Sequence, residues 1–552
     1  MNHTLYVIPE DYSNLKVRGE GSYTYKIGTD EYGNRRLEIL WRNFKTQQFF
    51  ISMKVKNRAK FNGPKRVKFP FTPPKETFIY LTETENVKIT DEIREKATEL
   101  TQNCKDGFEA VRRISSWIYS NLDYDASFSG KILPSDIVFK IKKGTCDEFT
   151  NLFIAMCRSV GIPARYVGGL SYSKDGWGYH AWAEVYLGKW IPVDPTWNEV
   201  GWLDATHIEF GKFPDGGNVK VYTSYLSRGE ERVYTSQPVP NVKISKAEPV
   251  KKIFVTDFET YPSVVGIGKS SVLTVRVRTL SKGCIATSLK IIPRVDEAGN
   301  PILSVSGEET ISLCPGEEKT LHFILKVNDT LDERYEYYDL ADVYTFLGEE
   351  KTIDLTVDPK RSGTSNIDLW VSSQVIEPGE KIKFYVNSNA PYKIFTNMNI
   401  SNDTLFATEP GKYYIIAASE KGEVVKKEIE VKKNLTFKVK NLKKPEKVMC
   451  GEKFNVSFTI ENLGENNFSI VSIQSSELSP IPKREFASKE RKIYVTLTSS
   501  VKKNCTGRDQ YIVIQINNQR IFEKIKVEKP KNLFESLWQE IESLVKKIIN
   551  LI

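Results

Sequence analysis

Residues 144–160 read GTCDEFTNLFIAMCRSV, and this stretch decides the fold at the centre of the chain. Thr145 and Glu148 form a T-x-x-E capping box, which predicts that a helix begins here. Apolar residues then recur at spacings of three and four, and a Gly-x-Pro sequence directly after the stretch predicts the end of the helix. Cys146 is therefore expected in the first helical turn.

A thiol at this position would meet unpaired backbone N–H groups and the positive end of the helix dipole. Both stabilise a thiolate over a thiol, and the same N–H groups could hold an oxyanion. The alternative interpretation is a cysteine that only packs, and we expect this of Cys157, which falls on the apolar face of the same helix. Cys146 is thus the candidate nucleophile of the chain.

A second segment, residues 179–186, alternates in the way expected of a half-buried strand and contains His180. A strand that returns after it ends at Asp194. For Asp194 to orient the His180 ring, both side chains must lie on one face. An odd-numbered loop, residues 187–189, would place Asp194 opposite Trp182 and diagonal to His180, whereas a two-residue loop would put it on the other face.

Four motifs in this order resemble the transglutaminase-like superfamily, and the likeness covers roughly residues 88–235. The motifs are Gly144-Thr145-Cys146-Asp147-Glu148-Phe149, Gly161-Ile162-Pro163-Ala164-Arg165-Tyr166-Val167-Gly168-Gly169, His180-Ala181-Trp182-Ala183-Glu184-Val185 and Pro192-Val193-Asp194-Pro195-Thr196-Trp197. The resemblance implies a papain-like α+β core with Cys146 as nucleophile, His180 as base and Asp194 as its orienting partner.

Other interpretations of these residues stay open at this point. His180 could only satisfy a hydrogen bond in the core, and Asp194, which precedes a proline, could be a turn residue. We interpret Asp204 and His207 as supporting structure. Five tryptophans of this region could line a substrate groove or simply form core, and they are Trp177, Trp182, Trp190, Trp197 and Trp202. The stretch before His180, residues 172–179, is interpreted as a loop that gates access.

The fold class expected for the whole chain is multidomain: the α+β core is flanked by an N-terminal β domain and by C-terminal immunoglobulin-like β-sandwiches. A turn that feeds an alternating strand recurs at Pro315-Gly316-Glu317, Pro378-Gly379-Glu380 and Cys450-Gly451-Glu452, as in tandem sandwiches. The predicted domains are 1–76 (β domain), 77–236 (catalytic), 246–357, 364–433 and 434–528 (three sandwiches), and 532–552 (amphipathic helix).

Composition limits the partners of this chain of 552 residues. Its formal charge of +9 is spread thinly and forms no dense basic patch with interleaved aromatic residues, so we expect no nucleic-acid binding. No apolar run is long enough for a transmembrane helix. The expected partner is a protein or peptide substrate, and the C-terminal helix could pack on a sandwich, self-associate or attach to a surface.

The cysteines and glycosylation motifs bear on the compartment. Pairing of Cys284 with Cys314, and of Cys450 with Cys505, is plausible and would favour an oxidising environment or an intracellular thermophile. Asn-x-Ser/Thr triplets in the tail favour the cell surface, whereas the absence of a charged start followed by an apolar run at the N-terminus leaves a cytoplasmic setting as the alternative.

The scattered histidines and the lack of Cys-x-x-Cys spacing predict no metal site and no cofactor. The main functional hypothesis is a thiol enzyme that acts on amide bonds through a Cys146 thioester, as a peptidase or amidase if water is the acceptor, or as a glutamine acyltransferase if an amine is. The alternative is a catalytically silent surface scaffold or adhesin that keeps the fold for binding.

Overall fold

A computed structural model provides the fold of most of the chain. It describes residues 2–42, 48–102, 104–173, 175–218, 222–224, 239–250, 252–296, 299–307, 310–361, 363, 365–371, 375–376, 378–431, 437–462, 467–474, 478–479, 484–487, 491–505, 507, 510–516 and 519–529. The predicted amphipathic helix at 532–552 lies outside these residues. Within the described ranges, none of the helices is both long enough and apolar enough to span a membrane.

The N-terminal region is a small β structure with its own apolar core. β3 and β4 form a hairpin around residues 30–34, and β1 pairs with β4. β2 pairs with β5, and Leu37, Ile39 and Trp41 lie in the core between the two β pieces. The strands are β1 (Asn2–Leu5), β2 (Tyr12–Gly19), β3 (Tyr23–Thr29), β4 (Arg35–Trp41), β5 (Phe49–Val55) and β6 (Lys60–Phe61).

The central region contains the four α-helices of the described chain and the sheet on which they pack. The helices are α1 (Asp91–Thr101), α2 (Gly107–Asn121), α3 (Ser135–Ile141) and α4 (Cys146–Ser159). The strands are β7 (Asp123–Tyr124), β8 (Lys143–Gly144), β9 (Ala164–Ser173), β10 (Gly176–Tyr186), β11 (Trp190–Asp194), β12 (Glu199–Val200), β13 (Trp202–Leu203), β14 (Ile208–Phe213) and β15 (Tyr222–Ser224).

Helix α4 is the buried centre of this region, as its apolar periodicity predicts. It packs on β9 and β10, and Leu152, Phe153, Met156 and Cys157 are fully buried in one core shared with the other three helices. Burying a side chain of this size contributes roughly 1.5–3 kcal/mol. Because the interior of α4 is fixed by packing, its first turn is held against the sheet at a defined point.

The sheet beneath α4 continues into the segment predicted as the first sandwich. Its strand order is β14, β9, β10, β11, β12, β19 and β22, where β19 and β22 belong to that segment. The strands there are β16 (Phe254–Tyr261), β17 (Val264–Val265), β18 (Ser270–Thr279), β19 (Ile285–Ser288), β20 (Lys290–Pro293), β21 (Leu303–Ser306), β22 (Thr310–Leu313), β23 (Glu318–Val327), β24 (Ala341–Tyr344), β25 (Lys351–Thr352) and β26 (Thr356–Val357). The Cys284–Cys314 disulfide joins the ends of β19 and β22.

The remaining chain forms two further immunoglobulin-like β regions, each with its own apolar core. The Cys450–Cys505 disulfide lies in the second of them. The strands are β27 (Ile367–Val371), β28 (Val375–Ile376), β29 (Lys381–Ser388), β30 (Tyr392–Thr396), β31 (Asn399–Ser401), β32 (Thr404–Phe406), β33 (Gly411–Ser419), β34 (Val424–Val431), β35 (Phe437–Lys443), β36 (Lys447–Met449), β37 (Lys453–Asn462), β38 (Asn467–Gln474), β39 (Arg484–Ala487), β40 (Lys492–Ser500), β41 (Gln510–Ile516) and β42 (Gln519–Glu528).

The repeated turn of the tail has a backbone explanation. Gly316, Gly379 and Gly451 have φ values of 80°, 86° and 87°, in the left-handed region that other residues adopt only at a cost. Each glycine turns the chain just before a strand of its region. The repeat detected in the sequence is thus a repeat of one turn geometry.

Candidate active site

The start of α4 is held by a buried carboxylate. The backbone N–H and the hydroxyl of Thr145 both donate to Glu148 Oε2 at 2.8 Å, and the Leu133 N–H donates to Oε1 at 3.0 Å. The predicted capping box is therefore confirmed. A Cβ at Gly144 would lie 2.3 Å from the Glu148 Cβ, so only glycine allows this approach. Cys146 follows directly, as the first residue of the helix.

His180 connects the thiol to a buried carboxylate. Its Nε2 lies 2.8 Å from Asp194 Oδ2, and the Cys146 sulfur is near enough to the same ring to raise its pKa. Since Nε2 faces Asp194, Nδ1 is the nitrogen left for the sulfur. The Trp197 ring stacks on the imidazole, with centroids 4.6 Å apart and planes at 18°. The structure thus brings together all three residues that the sequence selected.

The hairpin that sets this geometry has the loop length predicted from strand parity. Tyr186 pairs with Trp190, which leaves a three-residue loop at 187–189, and the register continues to Ala183 opposite Val193. The Leu187 N–H donates to the Lys189 carbonyl across the loop. Asp194 consequently lies on the same face as His180, as a triad requires.

The charges of the pair favour an imidazolium beside a carboxylate. Burial disfavours a charged His180, but the Asp194 carboxylate and the Cys146 sulfur outweigh it and raise the pKa of His180 to about 9. Burial likewise disfavours a charged Asp194, yet His180 and His207 hold its pKa well below the usual range. The imidazolium is therefore the form that this site stabilises near neutral pH.

A second histidine meets the same carboxylate. His207 Nε2 lies 3.2 Å from Asp194 Oδ2, and His207 Nδ1 lies 3.3 Å from Asp204 Oδ1. His207 is only 1% exposed. We expected Asp204 and His207 merely to support the structure, but the structure places His207 in direct contact with the proposed triad. Nothing in the local sequence pattern indicates that contact, because a turn and β12 separate the two residues.

Two other side chains border the sulfur. Although more than half of Tyr124 is exposed, partial burial of its side chain, together with the charges of Cys146 and Asp147, raises its pKa to about 12. The Tyr166 hydroxyl donates to the Asp147 carboxylate, and burial raises the pKa of Asp147. Tyr124 is 59% exposed and therefore marks the open side of the site.

The five tryptophans divide between core and site. Trp182 and Trp202 are buried, and Trp190 packs against the Arg165 guanidinium at 3.9 Å. Of the five, Trp197 covers His180 directly, while Trp177 contacts Tyr172 edge to face near the tip of the β9–β10 hairpin. The interpretation of residues 172–179 as a loop is wrong, because Tyr172 and Trp177 are paired strand residues.

Two sets of side chains have donor atoms spaced closely enough for a metal ion. They are His180, Asp194 and His207, and Glu199, Asp204 and His207, with the atoms of each set within 4.8 Å of one another. The contacts of His207 and His180 with Asp194 and Asp204 in these sets are at hydrogen-bonding distance. In the set of His180, Asp194 and His207, these hydrogen bonds account for the close spacing of the donor atoms.

Comparison with known proteins gives a family match for the central region. The profile of the transglutaminase-like superfamily matches residues 94–195. Kyphoscoliosis peptidase from Mus musculus is 34% identical over 141 residues, which are 22% of this chain and 21% of the relative. An uncharacterised protein from Haemophilus influenzae is 24% identical over 225 residues, or 33% of this chain and 60% of the relative. The chain thus spans about a fifth of the length of the mouse protein.

Among solved structures, a candidate cysteine protease from Cytophaga hutchinsonii aligns with a TM-score of 0.34 and 17% identity, over 40% of this chain and 80% of that one. The profile match covers Cys146, His180 and Asp194. Residues 94–195 of this chain thus match the transglutaminase-like superfamily.

Proposed function

We propose that this protein is a cysteine enzyme that cleaves an amide bond in a protein or peptide through a thioester on Cys146. The observation that carries the proposal is the His180–Asp194 pair, with Nε2 and Oδ2 2.8 Å apart, next to the Cys146 sulfur at the start of α4. An isolated cysteine needs such a base and such an orienting group to become a catalytic nucleophile. The domains after the catalytic region would hold it near a macromolecular substrate.

The first half of the reaction forms the thioester. The Cys146 thiolate attacks the amide carbonyl carbon, a C–S bond forms, and the carbonyl oxygen takes the negative charge. Backbone N–H groups at the start of α4 are suited to hold that charge. The His180 imidazolium then gives its proton to the leaving nitrogen as the C–N bond breaks. Asp194 holds the ring in position and stabilises its positive charge.

In the second half, His180 takes a proton from the acceptor, which attacks the thioester and releases the Cys146 thiolate. With water as the acceptor the product is an acid, and the protein is a peptidase or amidase. With a lysine amine the product is a new amide, and the protein is a glutamine acyltransferase. The name of the mouse relative, a peptidase, favours water.

A peptide that contains glutamine, incubated with a labelled primary amine, tests the proposal and identifies the acceptor. Label bound to the peptide indicates transfer, and fragments or ammonia without bound label indicate hydrolysis. Cys146→Ala should abolish either product, whereas Cys104→Ala, a matched change of an equally buried cysteine, should not. Turnover that survives Cys146→Ala would contradict the proposal. Absence of any product, with Cys146 no more reactive than a free thiol, would favour the scaffold or adhesin.

A further inference from the structure

We propose that His207 is a positioning residue of this site: as an imidazolium between Asp194 and Asp204, it fixes the Asp194 carboxylate and weakens the attraction of that carboxylate for His180. The inference rests on the proposed function, in which Asp194 orients His180. It adds a second cation to the opposite side of the carboxylate that orients the base.

The contacts of Asp194 leave its carboxylate no free oxygen. Oδ1 accepts from the backbone N–H groups of Thr196 and Trp197 at 2.8 and 3.3 Å. Oδ2 meets His180 at 2.8 Å and His207 at 3.2 Å. Asp194 is fully buried. Any rotation of the carboxylate toward His180 would break at least one contact on the far side, so His207 takes part in setting its orientation.

The contacts of His207 indicate its charge. Both ring nitrogens face carboxylate oxygens, and only the imidazolium can donate from both. A neutral ring would turn a lone pair toward one of the two carboxylates. Asp204 is itself held by the backbone N–H and the hydroxyl of Thr206, both at 2.6 Å. Although burial disfavours the charged ring, Asp194 and Asp204 raise the pKa of His207 to about 9.

The other ionisable groups around the ring fit this assignment. Glu199 lies within 4.8 Å of the Asp204 and His207 donor atoms, and burial raises its pKa far above the usual range, so it stays neutral. The His180 ring is 5.6 Å away, and beyond it lie Cys146 and Asp147. With His180 and His207 both protonated, positive and negative charges alternate from His180 through Asp194 and His207 to Asp204.

Alternating charges make a specific prediction about pH. Removing a positive charge from one side of Asp194 makes every remaining group in the series easier to protonate. The lower and the upper pH limit of rapid Cys146 alkylation should therefore both rise, by about half a unit to one unit. A role in packing alone would slow alkylation or lower the melting temperature, but it would leave both limits where they are.

The experiment measures iodoacetamide labelling of Cys146 across pH in the full chain with His207→Gln and His207→Leu. Glutamine keeps an N–H donor but no charge, so it should shift the limits while keeping most of the rate, and leucine should also lose rate. Asp204→Asn, which removes a negative charge and leaves His207 paired with Asp194, should shift both limits in the opposite direction. His322→Gln, a histidine in the sandwich region paired with Tyr414, is the matched control and should change neither limit.

Two results separate this inference from the proposed function. If His180→Ala leaves the labelling profile unchanged, the triad itself is wrong. If labelling depends on His180 but neither His207→Gln nor Asp204→Asn moves the limits, His207 is structural and the triad stands. Nitrogen NMR gives a direct check that needs no variant to fold: two protonated ring nitrogens on His207 at pH 7 support the proposal, and a neutral ring overturns it.

Discussion

Cys146 and Cys104 are both 7% exposed, yet their surroundings are chemically opposite. Cys104 follows the C-terminal end of α1, where its thiol donates to the Leu100 carbonyl at 3.9 Å, and burial raises its pKa to about 12. Cys146 begins a helix and contacts His180. Exposure therefore does not decide which cysteine can react. Reactivity is decided by which end of a helix the sulfur lies at and by whether an imidazole lies beside it, because both set the electrostatic environment of the sulfur.

The largest effect expected from this comparison is selective alkylation. A thiol with a pKa near 12 is ionised to about one part in 10⁵ at pH 7, so Cys104 should label only when the chain unfolds. Cys157, fully buried with a raised pKa, should behave likewise. We expect Cys146 to label at least about a thousandfold faster than either, measured by peptide mass spectrometry. Equal labelling of Cys146 and Cys104 in the folded protein would remove the distinction between them.

Asp194→Asn should reduce kcat/KM and the labelling rate at neutral pH by about a hundredfold or more, because an amide neither stabilises the imidazolium nor fixes the correct tautomer. The change keeps the shape of the side chain, so the fold should survive. Asp342→Asn is the matched control, since Asp342 is a buried aspartate that pairs with Arg294 in the sandwich region. Comparable losses in the two variants would mean that the effect is general destabilisation.

Glu148→Gln tests whether the capping contacts place the sulfur. An amide cannot accept all three hydrogen bonds that the carboxylate accepts, so we expect a loss of about 1–3 kcal/mol in the free energy of unfolding. Cys146 labelling should slow several-fold as the first turn loosens, and that of Cys104 should not change. Glu92→Gln, an exposed change in the first turn of α1, should have little effect on either measurement. Thermal melts and labelling rates give both values.

The smallest expected effect is on how stability depends on pH. His207 binds its proton with a pKa of about 9 in the folded chain against an ordinary 6.5, so its contribution is complete below 6.5 and is lost as pH rises through 9. Between these limits the folded state holds the extra proton. The unfolding free energy should therefore fall by up to about 1.4 kcal/mol per pH unit on this account. Chemical denaturation of wild type and His207→Gln should show a shallower slope in the variant.

The sequence predicts those parts of the site whose geometry depends on residues close together in the chain. A capping box depends on residues three apart, and it located the start of α4 at Cys146. Strand alternation and loop parity likewise predicted that Asp194 shares a face with His180. The role of His207 depends on how the turn after β11 folds back, and no periodicity describes that. Pairing of Tyr172 with Trp177 was missed because the glycines beside Trp177 imitate a loop.

The strand pairing that joins the central sheet to the first sandwich could likewise not be predicted from local sequence patterns. Val200 pairs with Ala286 between β12 and β19, whereas the sequence predicts separate domains at 77–236 and 246–357. The Asn198 amide adds a contact across the same join, because it donates to the Thr310 hydroxyl at 3.0 Å. The backbone of Asn198 lies in the left-handed region, with a φ of 56°. The contact with Thr310 therefore holds the residue that directly follows Trp197 in the turn.

The pairing of β12 with β19 determines what a single proteolytic cleavage of the chain would do. Residues 239–250 have no regular secondary structure and are largely exposed, which makes them a natural target for proteases. Cleavage there would nick the molecule without separating its parts, since β12 stays paired with β19 and the Asn198–Thr310 contact remains. The two fragments should migrate apart only after denaturation. A recombination point placed between residues 236 and 246 would, by contrast, separate β12 from its partner strand β19.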